Sequence, residues 1–67
     1  MYFLSQDGLQ LVESNHLYIS ESSVFAVVSG GEDIELAHYE VYGEAHEALR
    51  KVYAAIEDSE AVFSFLE

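Results

Sequence analysis

The sequence predicts an α+β fold: a five-stranded antiparallel β-meander, one amphipathic helix packed on one face of the sheet, and a short C-terminal strand. Two observations carry this expectation. Apolar residues alternate with period two before Gly43 and recur with a helical period of about 3.6 after it. The short apolar runs before Gly43 are separated by turn signals at Asp7-Gly8, Ser14-Asn15, Glu21-Ser22-Ser23 and Gly30-Gly31. A chain of 67 residues has room for one small domain spanning residues 1–67.

Asp7-Gly8 is the strongest hairpin signal, because a two-residue type I′ turn needs positive φ at both central residues. Counting outward pairs Gln6 with Leu9, Leu4 with Leu11 and Phe3 with Val12, so that Leu4 and Leu11 share one face and Phe3 and Val12 the other. His16–Ser20 reads as the third strand. Val24–Val28 is apolar on both faces and reads as the most buried strand. Ile34–Val41 reads as the fifth, with Phe25, Val27, Ile34 and Leu36 sharing a face. After Gly43, residues Ala45, Ala48, Leu49, Val52, Tyr53 and Ile56 follow an i, i+3, i+4, i+7, i+8, i+11 pattern, which predicts a helix whose Leu49, Val52 and Ile56 bury against the sheet. Asp58-Ser59 ends it, and Ala61–Leu66 reads as a last strand. One helix cannot cover both faces of such a sheet, and Phe63 and Phe65 then offer a strand edge to a second copy, so a homodimer is expected.

The charge is the informative part of the composition. The chain carries 13 Asp plus Glu against 2 Lys plus Arg, a formal net charge of -11. No basic face for direct nucleic-acid binding can be built from it, and an anionic membrane surface repels it. It has no Cys, hence no disulfide and no thiolate zinc site. The absence of a positive n-region and of a long apolar run predicts a cytoplasmic, soluble protein.

The candidates for chemistry are weak. His16, His38 and His46 fall on different elements without metal-ligand spacing, so no metal and no cofactor are expected. The abundant carboxylates place some pairs close by chance, a chain this short has little room for a walled cleft, and no G-x-S-x-G or S-x-x-K pattern accompanies its serines; no enzyme activity is expected. Gly30-Gly31 would repel a phosphate, since Glu32 and Asp33 follow directly. Most Tyr and Phe read as core or cross-strand pairs; Tyr2, Tyr39, Tyr42 and Tyr53 are candidate interface anchors.

A small domain usually balances its signs, and a one-signed surface repels itself. The acids follow either from solubility or from a basic partner. Spaced carboxylates on a folded surface can imitate rows of phosphates and steer the protein onto a Lys/Arg-lined groove of a nucleic-acid-handling protein. The candidate partner-binding residues are Glu32, Asp33, Glu35, Glu40, Glu44 and Glu47, around the fourth turn, the fifth strand and the helix start.

With its Ser5-Gln6-Asp7-Gly8 turn after an apolar strand, the Ile34-Glu35-Leu36 strand, Tyr39 and the Ala45–Ile56 helix, the chain resembles small phage and prophage proteins of Gram-positive bacteria. The resemblance covers nearly the whole chain, rests on short hairpin-like motifs, and implies no catalytic residues. In size and charge the chain is also similar to DNA-mimicking anti-CRISPR proteins, a likeness of class and not of motif. That likeness implies a stoichiometric inhibitor of a host nucleic-acid-binding protein such as a CRISPR effector. The alternative is a non-catalytic structural, assembly or accessory module, homodimeric and acidic only for solubility.

Overall fold

The computed structural model describes residues 1–67. Its first hairpin, β1 (Tyr2–Leu4) and β2 (Leu11–Glu13), has the register that alternation predicts: Phe3 faces Val12 and Leu4 faces Leu11. The turn between them is not type I′. Within it only Gly8 has positive φ, at 75°. The Gly8 N–H bonds the Ser5 carbonyl at 2.9 Å, and the Ser5 N–H bonds the Gln10 carbonyl at 2.9 Å. The Asp7 carboxylate holds the loop by accepting from the Ser5 hydroxyl at 2.6 Å and the Leu9 N–H at 2.9 Å. An Asp side chain thus supplies the local hydrogen bonding that a tight mirror-image turn would have supplied through its backbone.

The predicted Gln6–Leu9 pair is absent because Gln6 points elsewhere. Its N–H bonds the Leu36 carbonyl at 2.7 Å, and its side-chain oxygen accepts the His38 N–H at 3.0 Å.

The meander is broken after β2. Ser14 is buried, and its hydroxyl donates to the Val27 carbonyl at 2.7 Å while accepting the His16 N–H at 3.1 Å. This fixes the chain in a turn that leads away from β2, so β2 and the next strand do not pair. The following three strands, β3 (Leu17–Ser20), β4 (Ser23–Ala26) and β5 (Ile34–His38), make a separate antiparallel sheet in that order. The single five-stranded meander is therefore two three-stranded sheets. The other one has the order β2-β1-β6, and β6 (Val62–Ser64) runs parallel to β1 with Phe63 beside Phe3.

The face assigned to Phe25 is corrected as well. A bulge lies between β4 and β5: Val24 faces Ala37 but Phe25 faces Glu35, which leaves Leu36 as the extra residue. Val24 and Ala26 thus face the core, and Phe25 lies on the opposite face with Tyr18 and Glu35. Phe65 is buried at 4% exposure, its ring 6.2 Å from Phe3 and 4.9 Å from Phe63. These aromatic side chains close the chain's own core, while β6, at the end of its sheet, pairs on one side only.

Helix α1 (Tyr42–Glu57) starts two residues before Glu44, after extended Val41, and ends in a left-handed Ser59 with φ 60°. The Ser59 N–H bonds Ile56 O at 3.0 Å and the Glu60 N–H bonds Ala55 O at 3.0 Å, a Schellman pattern with Ser where Gly is the common choice. The helix buries Ala45, Ala48 and Val52. Leu49 is only half-buried and Ile56 is 56% exposed, contrary to expectation. The ten-residue core contains four alanines, Ala26, Ala37, Ala45 and Ala48. Side chains this short let helix and sheet approach closely and leave the larger helix residues outside. No helix is long and apolar enough to cross a membrane.

Candidate functional site

The six candidate acids are all exposed, and the fold divides them into two groups. Glu32, Asp33 and Glu35 lie at the turn before β5 and on its outer face. Glu40, Glu44 and Glu47 lie past the far end of β5, at and beside the helix start. At about 3.3 Å per extended residue, the five residues from Glu35 to Glu40 span at most roughly 17 Å. Alternation along an early-starting fifth strand would put Glu32 and Glu40 on one face. Because β5 spans only Ile34–His38, neither belongs to it.

Asp33 and Glu35 of the first group sit beside an aromatic platform that the sequence did not reveal. Tyr18 stacks on Phe25 with ring centroids 5.5 Å apart and planes at 15°, and His16 meets Tyr18 edge-on at 6.5 Å. The Tyr18 phenol donates to Asp33 Oδ2 at 2.5 Å. That hydrogen bond to the carboxylate holds the Tyr18 phenol above its usual range. Cross-strand pairing of Tyr18 with Phe25 follows from the β3–β4 register, which the two-residue turn at Glu21-Ser22 sets. The only available signal was the presence of two aromatic residues near a strand break.

Glu44 and Glu47 of the second group line a groove of about 320 Å³ together with Tyr39, Lys51, Phe63 and Glu67, among others, and Glu40 lies outside it. Glu44 Oε1 accepts the Glu40 N–H at 3.3 Å, which draws the helix entry together. Burial, then the charges of Glu67 and Glu44, raise the Tyr39 phenol above its ordinary value. Glu67 was not among the expected residues; it reaches the groove because β6 runs beside β1 and brings the C-terminus back past the helix.

Ion pairing does not neutralise this surface. All 13 carboxylates are exposed, and none lies within 4 Å of Lys or Arg. The single pair at that distance is Glu35 with His38, at 3.9 Å. A surface of this kind offers free carboxylate lone pairs to an incoming guanidinium or ammonium.

The nearest approach to a catalytic arrangement is Ser23, His38 and Glu35. The buried Ser23 hydroxyl lies 2.7 Å from His38 Nδ1, and Glu35 approaches the same nitrogen. A Ser–His–acid relay needs the hydroxyl and the carboxylate on opposite ring nitrogens. Here they share one, so the serine is not activated in that way. Side chains of His, Asp and Glu gather nowhere in a group of three able to hold a metal ion. Comparison with protein-family models, curated proteins and solved structures finds no match to this chain.

Proposed function

We propose that this chain is a non-catalytic binding protein that docks through its carboxylates onto a Lys/Arg-lined groove of a nucleic-acid-handling protein. The observation that carries the reading is that all 13 carboxylates lie at the surface with no Lys or Arg partner. Self-repulsion on such a surface destabilises the fold, and a basic partner relieves it. The Tyr18–Phe25 platform beside Asp33 and Glu35 adds a flat π surface on which an arginine can stack while a carboxylate takes its N–H groups. In this reading the chain is a phage or mobile-element inhibitor, and a CRISPR effector is the model target.

The test is a titration of such an effector with the protein, with and without its guide or target nucleic acid, at two salt concentrations. Competition with nucleic acid and weaker binding at higher salt are expected. Replacing Glu32, Glu35 and Glu40 together by Gln, which spares the Asp33 bond to Tyr18, should abolish binding while the unfolding midpoint holds or rises. Simultaneous binding of nucleic acid and protein would overturn the reading.

A second reading, a self-associating accessory module, is favoured by a different observation: large apolar side chains left exposed along α1, with Tyr53 65% exposed and Ile56 56%.

A further inference from the structure

Strand β6 leaves backbone polar groups unpaired along one side. In its parallel register with β1, residues Ala61, Phe63 and Phe65 turn their bonding groups toward β1. The Tyr2 N–H bonds the Ala61 carbonyl at 3.0 Å, and the Phe65 N–H bonds the Leu4 carbonyl at 2.9 Å. The N–H and C=O groups of Val62 and Ser64 alternate to the other side, where the sheet ends. Both residues are exposed. The devices that blunt such an edge are missing, since β6 has no Lys, no Pro and no bulge. In the other sheet, by contrast, the edge of β5 is capped by Gln6, which bonds Leu36 and His38.

The groove of about 320 Å³ runs along this free edge, with residues 63–67 on one side and Glu44, Glu47 and Lys51 of α1 on the other. Its three carboxylates, Glu44, Glu47 and Glu67, outnumber its one cation, Lys51. A groove bounded by a strand edge and a helix suits an extended peptide: backbone hydrogen bonds hold it on the edge, and alternate side chains enter the groove. We propose that β6 accepts an extended basic segment of a partner as an added antiparallel strand, seated between β6 and α1. This deepens the docking reading above and rests on it only for the sign of the partner's charge. Ser64 and Val62 each pair with one peptide residue through both N–H and C=O. The peptide residues opposite Phe65 and Phe63 point to the same face as those rings, into the groove. A short turn joins α1 to β6, so the two run in opposite directions. Glu44 and Glu67 therefore lie toward the Phe65 end, and Lys51 toward the Phe63 end. The residue opposite Phe65 is Arg or Lys, and the one opposite Phe63 is apolar. Along an antiparallel peptide the order is basic, any residue, apolar. A second copy is the wrong occupant. Both basic residues of the chain are on α1, so none of its strands carries one, and two chains of net charge -11 repel each other.

An NMR titration of the isotope-labelled full chain with the capped peptide T-R-T-V-T tests this. The Val62 and Ser64 amides should shift downfield and gain protection from deuterium exchange. At low salt the peptide T-E-T-V-T should bind about tenfold more weakly or worse. T-R-T-V-T methylated on its third and fifth backbone nitrogens keeps its charge but loses the N–H groups that face β6, and should protect neither amide. Ser64→Pro removes an N–H that the β1 ladder does not use, and should abolish binding with unchanged far-ultraviolet circular dichroism. Glu47→Lys should weaken binding about tenfold, because it sets like charges together. Glu32, Glu35 and Glu40 lie outside the groove, so the triple Gln variant that tests docking should leave peptide affinity within about twofold. The two readings therefore fail separately. Undiminished binding of the methylated peptide, amide shifts that miss β6, or no binding at millimolar peptide would overturn the strand addition. Protection of the same two amides in the protein alone, rising with its concentration, would give the edge to a second copy and overturn it as well.

Discussion

The two sheets are held together over very different distances along the chain. In β3-β4-β5 every neighbour is the next strand, joined by a hairpin, and the innermost positions Val24 and Ala26 are fully buried. In β2-β1-β6 the hairpin β1–β2 is local, but β6 pairs with β1 from the opposite end of the chain, with Tyr2 beside Val62. The turn at Glu21-Ser22 and the loop over residues 27–33 are enough to set the first sheet. The second is complete only after the rest of the chain has folded, and it depends on aromatic packing to hold its ends together.

The sharpest way to break this contrast is at Phe65, which joins Phe3 and Phe63. Phe65→Ala should cost about 3–5 kcal/mol, as other buried Phe truncations do. A domain of this size has a total stability of only several kcal/mol, so urea denaturation should find the variant largely unfolded. A loss below about 1 kcal/mol would mean that β6 is an accessory strand and that the two sheets are equally local.

A smaller effect separates the sheets by pH. In the β1–β2 turn, hydrogen bonds from the Ser5 hydroxyl and the Leu9 N–H hold the Asp7 carboxyl below its usual value of 3.8. A depressed folded-state value means that its contribution is present above the unfolded value and lost as pH falls through the folded one. In the other sheet, the hydrogen bond to Asp33 holds the Tyr18 phenol above 10.0, so its contribution is complete below pH 10.0 and lost as pH rises through the folded value. Thermal melts should show Asp7→Ala flattening the acid limb alone and Tyr18→Phe the alkaline limb alone. Each variant affecting both limbs would erase the distinction.

The smallest effect concerns the β3–β4 turn, where Glu21 has φ 56°, a left-handed conformation that Asn adopts more readily. Glu21→Asn should raise stability by up to about 1 kcal/mol in chemical denaturation, part of the left-handed penalty. A destabilised variant would show that the carboxylate at this position has a role beyond the turn.

What was legible in the sequence follows the same division. The Phe3–Val12 register, the helix and the last strand are local patterns of period or turn, and the structure has them. The split into two sheets was not legible, because it depends on the Ser14 hydroxyl finding the Val27 carbonyl thirteen residues away. The bulge at Leu36 shifts a face without altering the alternation pattern in any visible way. On the helix, one apolar pattern contained two stripes, and only the three-dimensional fit of alanines to the sheet decides which is buried. The acids at the turn and helix start could be placed on their elements from sequence. Their partners Tyr18, Phe25 and Glu67 could not, since those come from other strands or from the far end of the chain.

Gln6 ties the two sheets to each other. Its N–H makes the sole backbone-to-backbone hydrogen bond between the two sheets, to Leu36, while its side chain receives the N–H of His38 across 32 residues of sequence. An amide in that position is protected from exchange with solvent deuterium only while the sheets are docked. The amides of β3-β4-β5 are bonded within a local sheet and stay protected through any opening that leaves that sheet formed. The Gln6 amide thus times the encounter of the two halves, and in a pulse-labelling experiment its protection should appear together with that of the β1–β6 ladder and after that of the β3–β4 hairpin, whose loop closes at far lower entropic cost.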